Sequence, residues 1–176
     1  RYKQEGLKLI RAYFRMIEDE FKKQSYAIAR SCYKKLIFLL IQTEYDYFNY
    51  EDVVSKLSNF EKHIKNYFTC LVKTCSTEEL FQEYYRYCKI NEVYDFLSAH
   101  QTIITLLPED HLDTFATLVS KAAENIKEEE YGPHTLIYFL LDLAKHRNNR
   151  EEYAAICKRY EKIVGDDQQE GFDEDV

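Results

Sequence analysis

Between Gly6 and Gly132 the chain contains no glycine, and Pro108 is the only proline in that span. Strand-rich folds need turn residues every few positions, and glycine and proline supply many of them. So long a stretch without them favours long helices joined by short polar turns. At 176 residues the chain is long enough to bury a sizeable core as one domain.

Residues 134–164 show the pattern most clearly. Leu136, Leu140, Leu143 and Ala144 recur at spacings of three and four, which places them on one side of a helix. Ile137, Phe139 and Leu141 widen that stripe, so burial on most sides is expected. Lys145, His146 and Arg147 oppose the negative helix end. Asn148 and Asn149 are turn chemistry, because asparagine tolerates left-handed backbone and bonds its own main chain. Glu151 and Glu152 open a second helix whose apolar stripe is Tyr153, Ile156, Cys157, Tyr160, Ile163 and Val164. Gly165 suits the position just past its end. A turn this short makes the two helices antiparallel neighbours.

The same periodicity predicts helices over residues 4–21, 26–43, 52–73, 77–90, 92–107 and 108–127. In the first, Leu7, Ile10, Phe14, Ile17 and Phe21 are expected inward. In the second the inward set is Ile28, Cys32, Leu36, Leu39 and Leu40. In the third it is Val53, Val54, Leu57, Phe60, Ile64, Tyr67, Phe68 and Leu71. Ser76 and Glu79 have capping-box spacing, and Pro108 ends one helix and opens the next. Residues 44–52, where aromatics alternate with acids, read as a connection, and 128–133 as an acidic loop. Residues 166–176 hold six acids and two apolar side chains, which predicts a disordered acidic tail after a single helical domain over 1–165.

Charge is unevenly placed. Residues 1–75 carry fourteen Lys/Arg against nine Asp/Glu, while 76–176 carry ten against twenty-two. The net of −7 argues against general nucleic-acid binding and leaves only weak RNA contact through the basic half as an option. The longest purely apolar run, residues 36–41, falls far short of the roughly 20 residues that span a bilayer, so no membrane association is expected. Five cysteines without a framework spacing read as reduced thiols of a cytoplasmic protein. A chain that opens on Arg1 is expected to be a piece of something longer.

Motifs for catalysis and cofactors are missing. The five histidines form no His-Glu-x-x-His or Glu-x-x-His pattern, and no Cys-x-x-Cys occurs. Asp142 and His146 stand four apart on one helix, a spacing seen more often as a helix-end cation beside an acid than as a metal pair. There is no glycine-rich phosphate loop and no Gly-x-Ser-x-Gly. The expectation is a non-enzyme with no cofactor, no metal and no catalytic residues.

One internal echo stands out. Tyr26-Ala27, Tyr33 and Lys35-Leu36-Ile37 recur as Tyr153-Ala154, Tyr160 and Lys162-Ile163-Val164, each copy following a polar turn. This layout resembles the second helix of a tetratricopeptide repeat, over two hairpins, residues 7–40 and 134–164. The repeat's Trp, its helix-A glycine and its terminal proline are absent, and the echoes lie 127 residues apart, not a whole number of repeats. The resemblance implies an all-α fold of seven to eight antiparallel helices as stacked hairpins, with a single helical bundle as the alternative.

Stacked hairpins form a groove for a peptide or partner helix, so a protein-interaction or scaffold module is expected. The competing class is a helical ligand sensor or enzyme with an unsigned pocket. Candidate binding residues are the basic stripe Lys8, Arg11, Arg15 and Lys22, with Tyr84 and Tyr85. The stripe would receive an acidic segment, either a partner's or the chain's own tail, and in the latter case a homo-oligomer is open. The aromatic–acid residues 45–50 are a further candidate recognition segment.

Overall fold

The computed structural model describes residues 2–47, 57, 59–90, 97–165 and 171–172. The described residues are all-helical, with no strand. The helices gather into two compact units, Arg1–Ser76 with Leu97–Leu106, and Thr77–Phe96 with Leu107–Val176.

The first unit contains α1 (Tyr2–Lys22), α2 (Tyr26–Tyr47), α3 (Phe60–Thr74) and α5 (Leu97–Leu106). Three residues turn α1 back into α2. Gln24 takes a left-handed φ of 64°, and Ser25 N donates to Glu20 O at 3.0 Å while Gln24 N donates to Phe21 O at 2.9 Å. This is the glycine-type helix stop built with glutamine. α3 lies against both helices, burying Phe60, Ile64, Tyr67, Phe68 and Leu71 as the periodicity predicts. α5 covers α3 with Ala99, Ile103 and Ile104, and its buried Thr102 hydroxyl donates to Ser98 O at 2.7 Å.

α2 corrects the sequence expectation. Its buried side is Ala29, Tyr33, Ile37, Leu40 and Ile41, whereas Ile28 and Leu39 are 57% and 56% exposed and Cys32 is exposed. The helix is apolar around more than half its girth, so periodicity alone does not choose the inner side. α2 also runs on to Tyr47, past the expected connection at residue 44. The expected start of the third helix at residue 52 lies outside the described residues; the described helix begins at Phe60.

The second unit contains α4 (Thr77–Ile90), α6 (Glu109–Ala123), α7 (Tyr131–His146), α8 (Arg150–Arg159) and the single turn α9 (Glu161–Val164). α4 has the bounds expected from sequence. α7 touches α4, α6 and α8 and buries Leu136, Ile137, Phe139, Leu140, Leu141, Leu143 and Ala144. Phe115 meets Tyr84 at 5.5 Å, Phe139 at 5.1 Å and Phe81 at 6.0 Å in tilted and edge-on contacts, an aromatic core worth more than its area alone.

The α7–α8 turn forms as its residues require. Asn148 has φ 52°, Asn149 N donates to Ala144 O at 2.9 Å, and the Asn149 side chain accepts from Glu152 N at 3.2 Å. The following helix is not continuous: it breaks at Tyr160, with φ −115° and ψ 28°, and restarts as α9 before Gly165 at φ 72°. Arg147 joins α7 to α6 by gripping both Glu109 and Asp113, and Arg159 reaches Glu124 at 3.1 Å.

Within the tail, Phe172 packs edge-on against Tyr153 at 5.2 Å and lies under the Arg150 guanidinium at 4.9 Å, because its ring gains from leaving water whatever the charge of its neighbours; residues 166–170 and 173–176 lie outside the described residues. The loop expected over 128–133 ends early, since Gly132 and Pro133 sit in the first turn of α7, where proline is tolerated. Gly132 is there for space. A Cβ on it would stand 2.6 Å from the Cys88 carbonyl oxygen. Gly132→Ala is therefore expected to destabilise the protein by about 1–3 kcal/mol, read as a lowered midpoint in urea unfolding with the same slope.

Candidate functional site

α1 has three sides. Phe14 and Ile17 face inward and are buried. Leu9, Tyr13 and Met16, spaced four and three apart, form a second apolar side that is 57%, 50% and 64% exposed. Lys8, Arg11, Arg15 and Lys22 occupy the remaining side, roughly a third of a turn from the core direction.

Arg11, Arg15 and Glu18 on α1 border a cleft of about 260 Å³ with Leu57, Asn59 and His63, and Phe14 also lines it. Lys8 and Arg11 line a second hollow with Gln4 and Leu7. Lys22 is engaged elsewhere, in an ion pair with Glu18 at 3.1 Å. Lys62 from α3 holds the same carboxylate at 2.5 Å, and that bond is the main reason the Glu18 pKa is lowered, with Lys22 adding to it against the opposing effect of burial. Arg15 makes no ion pair among the described residues.

His63 was not singled out from sequence, since nothing in its local pattern marks it. Its ring stacks on Phe14 at 4.0 Å with 10° between planes and is 7% exposed. Its Nδ1 is buried with no hydrogen-bond partner among the described residues. Burial pushes its pKa down to about 4, with the Glu18 charge pulling weakly the other way and Lys62 adding to the fall. Behind it, Asn66 Nδ2 donates to the Tyr33 hydroxyl at 3.0 Å, and that tyrosine is fully buried.

Tyr84 and Tyr85 part company. Tyr84 is wholly enclosed between Phe115 and Phe139, leaving no ring surface for a partner. Tyr85 is half-buried, stacked on Phe81 at 5.8 Å with Lys89 Nζ 4.2 Å above its ring, beside a hollow lined by Gln82, Glu83, Arg86 and Lys89. Side chains of residues 45–50, the other aromatic candidate, lie outside the described residues.

The other surface missed from sequence is the outer side of the α1–α2 hairpin. Leu9, Tyr13 and Met16 on α1 and Ile28, Cys32 and Leu39 on α2 are all exposed. The four-three spacing on α1 was legible; the α2 contribution was hidden by choosing the wrong inner side. Among the described residues no group of three or more His, Cys, Asp or Glu is placed to hold a metal ion, and no helix is long and apolar enough to cross a membrane. Comparison with protein-family models, curated proteins and solved structures finds no match.

The His63 environment gives a pH signature. Its folded pKa of about 4 lies below the ordinary 6.5, so the unfolded chain binds the extra proton first as pH falls. The stability it contributes is present above pH 6.5 and is lost between 6.5 and 4, by roughly 3 kcal/mol. The lowered carboxylate Glu18 adds its own loss from about its ordinary 4.5 downward, at the acid end of that window and in wild type and variant alike. Urea unfolding of wild type and His63→Phe is expected to diverge between pH 6.5 and 4, with the variant flatter; parallel curves would refute this account of the histidine.

Proposed function

We propose that the chain is a non-catalytic protein-interaction module, and that its first hairpin docks an amphipathic helix of a partner. One observation carries this: the outer side of α1 and α2 exposes Leu9, Tyr13, Met16, Ile28 and Leu39 together. Each is half exposed or more, and together they present on the order of 400–500 Å² of apolar surface, a size at which such patches are commonly functional. Covering that area would contribute roughly 10 kcal/mol before the cost of association, enough to hold a partner helix. Two antiparallel helices leave a shallow groove between them, which suits apolar side chains repeating every three or four residues. Lys35, on the same side of α2, and the basic stripe beyond the α1 edge favour acidic residues at the rim of the partner.

The sequence resemblance to tetratricopeptide hairpins agrees with this use of a helix pair, although Ala27 and Ala154, the small residues of the echo, are exposed here. An enzyme reading has no comparable support among the described residues.

Selection of a random peptide library on the folded chain tests the proposal. Enriched peptides are expected to carry apolar residues at i, i+3 or i+4 and i+7. Met16→Glu with Leu39→Glu, at exposed positions, should weaken them at least about tenfold while leaving the thermal midpoint within about 2 °C. Enrichment without that periodicity, or equal binding by the double variant, would refute it.

A further inference from the structure

We propose that the cleft between α1 and the start of α3 is an oxyanion site, taking one phosphate or carboxylate group against Arg11, Arg15 and His63. It goes beyond the hairpin docking and uses none of the apolar residues that carry it.

Three observations converge on the cleft. The first is charge. Lys8, Arg11 and Arg15 follow one another at helical spacing, and like charges three or four apart on a helix repel. The carboxylate bordering the cleft, Glu18, is held by Lys62 at 2.5 Å and Lys22 at 3.1 Å and not by Arg15. Arg15 has no ion-pair partner among the described residues, so a planar, five-donor group lines the cleft ready for an oxyanion.

The second is the buried histidine. Its Nδ1 is sealed without a partner, and an orphaned N–H there would cost more than an orphaned lone pair. The proton of neutral His63 therefore belongs on Nε2, which is not among the sealed, unpartnered atoms. His63 lines the cleft, so this N–H is a neutral donor beside two cations.

The third is shape. Phe14 stacks flat on the histidine and fixes its plane, and Leu57 supplies an apolar wall, so charge-assisted hydrogen bonds here act partly shielded from water. A cleft of about 260 Å³ has room for a small oxyanion.

The source is either a free anion or an acidic peptide side chain, and the test separates them. Inorganic phosphate and a hexaglutamate peptide are titrated separately at low ionic strength into the full chain, following the His63 ring nitrogens by NMR. Saturable shifts are expected, with phosphate half-saturating below about 10 mM. Arg15→Gln should weaken either ligand about tenfold and Arg15→Lys less, with the exposed Lys121→Gln unchanged as control. Saturation by phosphate alone identifies a free-anion site; tighter peptide binding displaced by phosphate identifies an acidic-peptide site. No saturable shift from either ligand, or equal response in Arg15→Gln, overturns the proposal.

Discussion

Two helices in this chain are apolar around more of their girth than one neighbour can cover. Such a helix must be surrounded or must leave grease in water. α7 is surrounded: α4, α6 and α8 pack on it. Nine of its residues, from Gly132 to Ala144, are buried. α2 is not. α1 and α3 take its Tyr33 and Ile37 side, and Ile28 and Leu39 stay exposed. The same constraint, met in one unit and unmet in the other, produces the surface on which the functional reading rests.

The first unit also holds polar atoms where apolar ones would pack more simply. Tyr33 and Asn66 satisfy each other inside the core, and the neighbouring His63 leaves Nδ1 without a partner. Buried polar groups of this kind cost stability unless paired. His63 ties the core to the cleft it shares with Arg11 and Arg15: the Phe14 ring lines the cleft and also stacks on the histidine. Electrostatics at the surface and packing below it are therefore coupled through one ring pair.

Much of the secondary structure was legible because local chemistry decides it. Asn148, Asn149 and Gly165 stop and start helices by backbone geometry, and each does so where its residue type requires. α3 and α7 buried the stripes their spacing marked. The inner side of α2 was not legible, since a helix apolar around more than half its girth is oriented by what packs against it. The break at Tyr160 and the docking of Phe172 on Tyr153 also depend on tertiary contacts. Of the site, the basic stripe could be read from one helix. His63 could not, because it meets that stripe only after α3 folds back across residues 44 positions distant, as Lys62 does with Glu18.

The central claim is that the outer side of the first hairpin faces solvent, and Cys32 reports on it directly. Cys32 is exposed, while Cys70, Cys88 and Cys157 are buried. Maleimide labelling of the native chain, mapped by mass spectrometry, should modify Cys32 at the rate of an unstructured peptide thiol, with the three buried thiols reacting only as the chain unfolds. Protection of Cys32 as strong as that of Cys88 would contradict the account, because the apolar side of α2 would then already be covered.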